Sequence, residues 1–84
     1  MKTFDYVTKE PRIHARPAGL LVKEAGGYTC SVTITKDVKS VDAKKLFAVM
    51  GLGVKAGDTV TLTMNGDDEE EAAARIEELM KATW

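Results

Sequence analysis

The chain has 84 residues, of which 44% are apolar, and a formal net charge of -1. This length allows one domain, residues 1–84, with a modest core, and the apolar share argues against disorder. The balanced charge argues against a nucleic-acid binder, which carries a basic excess. No apolar window is long enough for a membrane span, so no membrane insertion is expected.

The opening segment MKTFDYV alternates apolar and polar residues and lacks the long apolar core of a signal peptide. Phe4, Tyr6 and Val7 predict a short first strand, and Pro11 and Arg12 fall in the loop that follows. From Pro17 the period changes. Ala18, Leu21, Val22 and Ala25 recur at helical spacing, and Gly26-Gly27 is expected to end that helix with a left-handed cap. The helix is expected to start at Arg16 or Pro17, with His14 just outside it. Cys30, Val32 and Ile34 alternate with Ser31, Thr33 and Thr35, which predicts a half-buried second strand. Cys30 reads as a small apolar filler. A single cysteine forms no internal disulfide and no Cys-rich zinc site.

The segment SVDA is a candidate third strand. A loose turn is expected before it, because Val38 in Asp37-Val38 resists the positive φ of a tight hairpin. KKLFAVMGLG predicts a short second helix stopped by Gly51 or Gly53. Val60, Leu62 and Met64 alternate with Thr59, Thr61 and Thr63 as a fourth strand. Ala72, Ala73, Ile76, Leu79 and Met80 mark a third helix, with acidic residues at its start and Lys81 near its end, as the helix dipole favours. The acidic run reads as a solvated helix start and not as a metal site. The order β-α-β-β-α-β-α predicts an α+β two-layer sandwich. Helices cover one face of an antiparallel sheet, and the other face carries many Ser and Thr side chains.

The only histidine, His14, stands just before the first helix, with Arg16 and Pro17 after it. Free backbone N–H groups and the positive end of the dipole make a helix start hospitable to anions, and a guanidinium adds donors suited to phosphate. His14 has four readings: a surface or capping residue without chemistry, a metal ligand short of partners, a general base, or a nucleophile that takes up a phosphoryl group. Spacing does not choose among them.

IHARPA, followed by KKLFAVMGLG, GDTVTLTMNGDDEEEA and the closing helix, resembles the HPr family, the histidine-containing phosphocarriers of the bacterial sugar phosphotransferase system. The likeness covers nearly the whole chain. It implies an open-faced β-sandwich, with antiparallel strands in the order 1-4-2-3 and three helices on one side. It implies that enzyme I, charged by phosphoenolpyruvate, phosphorylates Nδ1 of His14, and that the group passes to a histidine of an enzyme IIA. Arg16 matches the family's active-site arginine and Pro17 its helix-starting proline; Ala15, Arg16 and Pro17 form the phosphate-binding helix start. The chain is then a carrier and not an enzyme. It is expected to be a cytoplasmic monomer with no cofactor and no metal, and with no nucleic acid among its partners.

The second helix shows little polar surface. Val49 and Leu52 suit the core, while Leu46, Phe47 and Met50 form an adjacent stripe. The family's partner surface maps onto that stripe and onto Ala15, Arg16, Gly19, Leu20 and Lys23. Three departures stand out. Arg12 replaces the usual glycine, Asp37-Val38 replaces an Asn-Gly type turn, and Lys45 occupies the position of the serine phosphorylated in many Gram-positive members. A paralogue of a regulatory nitrogen-type or dihydroxyacetone kinase relay is the alternative within the family. A small interaction or RNA-binding module with a silent His14 is the alternative outside it.

Overall fold

The computed structural model describes residues 1–11 and 14–84. It runs β1 (Lys2–Val7), α1 (Ala15–Gly26), β2 (Ser31–Lys36), β3 (Lys39–Asp42), α2 (Leu46–Met50), β4 (Thr59–Asn65) and α3 (Glu69–Thr83). The strands form one antiparallel sheet in the order β1-β4-β2-β3. This is the α+β two-layer architecture that the periodicity predicted, in the open-faced form with three helices that the family resemblance implied.

Strand alternation sorts the two faces of the sheet. Val32, Ile34, Val60, Leu62 and Met64 point to the helices and are buried, as are Ala18, Leu21 and Ala25 of α1 and Ala72, Ile76 and Met80 of α3. Phe4, Tyr6 and Leu46 pack at the margin of this core. On the open face, register aligns Thr3, Thr63, Thr33 and Asp42 in one rank and Asp5, Thr61, Thr35 and Ser40 in the next. The Thr61 hydroxyl donates to Asp5 over 2.7 Å, and Thr35 and Ser40 share a bond of the same length. No helix among the described residues is long and apolar enough to cross a membrane.

Helix α1 starts at Ala15, one residue before the earliest expected start, with His14 as its N-cap. Pro17 therefore sits in the first turn without beginning it. Its missing N–H costs nothing there, because the first N–H groups of a helix have no intrahelical acceptor. The expected left-handed cap is not formed. Gly27 closes the helix at φ -80°, and its N–H turns back to Glu24 and Ala25.

The β2–β3 connection is also tighter than expected. Lys36 pairs directly with Lys39, leaving a two-residue turn. Among the described non-glycine residues, only Asp37 takes positive φ, at 55°, and Val38 avoids it while lying fully exposed. Asp tolerates that conformation far better than a β-branched residue. Arg12, the departure from the family's glycine, lies outside the described residues, as does Ile13.

At the other end of the sheet, Asp68 accepts the backbone N–H groups of Thr29 and Cys30, each over 2.9 Å. These bonds, with that of Thr29 foremost, lower its carboxyl to about 2. Gly66 lies against the same corner at φ 154°, where a Cβ would stand 2.6 Å from that of Cys30. Cys30 is buried, as the filler reading required, and burial raises its thiol pKa.

Candidate functional site

His14 has the extended backbone of an N-cap, φ -87° and ψ 179°. Its carbonyl accepts the N–H of Ala18 over 3.1 Å. Its side chain makes no capping bond and is exposed, as are Ala15 and Arg16. The first turn therefore holds the N–H groups of Ala15 and Arg16 without intrahelical acceptors, beside an imidazole not used for capping.

Three hydrogen bonds from Trp84, at the far end of the chain, hold this turn and the segment before it. The indole of buried Trp84 donates to the carbonyl of Pro17 over 3.0 Å. The carbonyl of Trp84 accepts the N–H groups of Lys9 and Glu10, over 2.8 and 3.2 Å. One residue thus clamps both the segment leading toward His14 and the helix that follows it. Sequence reasoning assigned Trp84 only to the closing helix. A lone aromatic after a helical run signals burial, but nothing in its spacing names Pro17 as its partner.

His14 lines a hollow of about 440 Å³ with Met50, Gly53, Val54 and Lys55. Arg16 does not line it. Arg16 faces a second hollow of about 270 Å³ with Glu10, Pro17 and Leu20. Successive helix-start residues explain the divergence, since positions i and i+2 do not face each other. His14 and Arg16 are therefore neighbours in sequence that open onto different cavities.

The apolar stripe divides in the same way. Phe47 is 85% exposed, and Met50 and Leu20 are each 37% exposed. Leu46, expected in the stripe, is half-buried and packs against the core. Val49 and Leu52 are buried, as their spacing predicted. Gly19 is half-buried and Lys23 exposed on α1, which packs against α2. Lys45 is the exposed N-cap of α2 and gives no side-chain capping bond.

The turn after α2 brings in a residue that sequence reasoning missed. The Lys55 N–H donates to the Asp58 carboxylate over 3.0 Å, and its carbonyl accepts the hydroxyl of buried Thr8. Asp58 also pairs with Lys36 at 3.2 Å. The backbone bond from Lys55, followed by the bond and charge of Lys36, lowers the Asp58 carboxyl pKa. A lysine in a Gly-bounded turn carries no signal in sequence; only the fold brings it to the hollow that His14 lines.

The family model described as the PTS HPr component phosphorylation site matches residues 6–82. HPr-C-His from Thermoanaerobacter tengcongensis is similar at 37% identity with a TM-score of 0.91, over 99% of this chain and 94% of that one. The histidine-containing phosphocarrier protein described with the divergence of Mycoplasma from Gram-positive bacteria is 31% identical at a TM-score of 0.92, over 98% and 94%. The Bacillus subtilis catabolite repression protein Crh, described as a domain-swapped dimer, is 37% identical at a TM-score of 0.79, over 94% and 91%. The match over residues 6–82 takes in both the first turn of α1 and the segment bearing Lys55, and with the shared sheet order it establishes that the chain belongs to the HPr family of phosphocarrier proteins.

Proposed function

We propose that His14 accepts a phosphoryl group from enzyme I, charged by phosphoenolpyruvate, and passes it to a histidine of an enzyme IIA. The observation that carries this reading is the exposed imidazole at the N-cap of α1, free of any capping bond, beside the N–H groups of Ala15 and Arg16, which have no intrahelical acceptor. In the handover, the acceptor nitrogen bonds phosphorus as the bond from phosphorus to His14 breaks. One N–P bond replaces another, so the exchange consumes neither water nor cofactor. The helix start favours the charge on the phosphoryl oxygens, and Arg16 supplies an exposed guanidinium on the neighbouring surface.

Phe47, Met50 and Leu20 form the apolar part of the docking surface, flanked by Gly19 and Lys23. Their exposure supports this role, since a small domain gains nothing from leaving a phenyl ring in water. Lys45 offers no hydroxyl, so the serine switch of many family members does not operate at this position.

The deciding experiment is incubation with enzyme I and phosphoenolpyruvate, followed by mass analysis. The wild type gains one acid-labile phosphoryl group, and His14→Ala gains none while keeping its fold. Acid-labile label that survives His14→Ala refutes the assignment. The expected monomer is checked by sedimentation, because the similar protein Crh is described as a dimer.

A further inference from the structure

We propose that Lys55 is the cation that faces the phosphoryl group on His14, a role that rests on the reading of His14 as the carrier residue. Three observations lead to it. First, Lys55 lines the hollow into which His14 opens, whereas Arg16 lines the other one. Second, the charges differ between the two hollows. Among the described residues, no carboxylate lines the His14 hollow, while Glu10 shares the hollow of Arg16. An anion on His14 therefore meets a lysine and no opposing acid.

Third, Lys55 is held by its backbone and free at its tip. Its N–H is bonded to Asp58, and its carbonyl accepts from the Thr8 hydroxyl and from the Asp58 N–H over 3.0 Å. The Asp58 carboxylate is paired with Lys36 at 3.2 Å and feels the Lys55 ammonium through charge, without a bond to it. Among the described residues, Lys55 Nζ has no hydrogen bond and no ion pair. A compact ammonium on a flexible stem suits a phosphate as a point charge, without the fixed fork geometry of arginine. It would add its charge to the field of the Ala15 and Arg16 N–H groups at the dianion.

The test uses phosphoramidate, a small donor that labels histidine without a protein partner, so any docking contact of Lys55 drops out. The wild type, Lys55→Met, Lys55→Arg and His14→Ala are labelled, and the phosphoryl group is titrated by ³¹P NMR. Loss of a facing cation raises the proton affinity of the phosphoryl group. The expected change in Lys55→Met is about fivefold, or about 0.7 pH unit, the upper end for a solvent-exposed ion pair. Lys55→Arg keeps the wild-type titration, and 1 M salt brings the wild type close to Lys55→Met. The side chain is exposed and its backbone bonds do not depend on it, so both variants fold. An unchanged titration in Lys55→Met with His14 still labelled overturns the role of Lys55 and leaves the carrier reading intact. A wild type that takes no label, or equal labelling of His14→Ala, overturns the carrier reading itself.

Discussion

Phe47→Ala separates docking from folding, because the structure sets the two effects far apart. The ring is 85% exposed, so only a small part of its surface leaves water on folding. Full burial of a phenylalanine contributes about 1.5–3 kcal/mol, and the fraction at stake here is at most about 0.5 kcal/mol. Alanine returns about as much through its higher helix propensity, Phe47 being in the first turn of α2. The two terms cancel, and the melting temperature should move by no more than about 3 °C. Docking has no such offset. An aromatic anchor buried in a partner pocket costs about 2 kcal/mol or more when truncated, close to a thirtyfold loss of affinity. The assay is steady-state phosphoryl transfer from enzyme I at varied carrier concentration, run beside a thermal melt. KM should rise by an order of magnitude or more while the melt barely changes. A fall of more than about 8 °C would show the ring to be structural. An unchanged KM with an unchanged melt would remove Phe47 from the partner surface.

Gly66→Ala should destabilise the fold by about 3 kcal/mol, because the new Cβ would press on Cys30 at a backbone conformation reserved for glycine; urea denaturation measures this, and a loss under about 1 kcal/mol contradicts the close approach. Asp68, lowered to about 2 in the folded chain, contributes stability that is fully present above its ordinary value of 3.8 and is lost as pH falls through about 2. Denaturant midpoints should therefore decline from pH 4 to pH 2, and Asp68→Asn should flatten that decline. Lys45→Ser should stabilise the chain by about 0.5–1 kcal/mol, since serine can cap α2 and lysine does not. Differential scanning calorimetry should show the melting temperature of Lys45→Ser rising by a few degrees.

Most of the architecture was legible in sequence because it rests on local periodicity. Alternation in residues 31–36 and 59–65 and helical spacing in 18–25 and 72–80 each have one burial solution. The errors fall where local rules compete. Pre-proline sterics placed the helix start too late, since first-turn positions forgive a missing N–H. Val38 argued for a loose turn, yet Asp37 alone absorbs the positive φ. Leu46 and Phe47 are adjacent and both apolar, and only the packed structure shows one turned in and the other out. His14 was visible as a histidine at a helix start. Lys55 and Trp84 were not, since each reaches the His14 region through contacts between residues distant in sequence.

A carrier residue faces two opposing demands. It must be exposed to more than one partner, and it must hold a fixed geometry for in-line transfer. Burying the imidazole would satisfy the second at the expense of the first. This chain fixes the backbone around the site instead. The Trp84 indole binds the Pro17 carbonyl, the Trp84 carbonyl binds Lys9 and Glu10, and the Thr8 hydroxyl binds the Lys55 carbonyl. Every one of these bonds ends on main-chain atoms, and none uses the side chains of His14, Arg16 or Lys55. Those side chains take no part in the clamp. Replacing Trp84 with phenylalanine would keep an aromatic ring but remove the bond to Pro17 and part of the buried packing, loosening the first turn of α1 without touching the imidazole. A thermal melt reads the lost packing, and the rate of His14 labelling by phosphoramidate, measured well below that melt, reads the positioning; a labelling rate equal to the wild type would mark a histidine that is merely exposed.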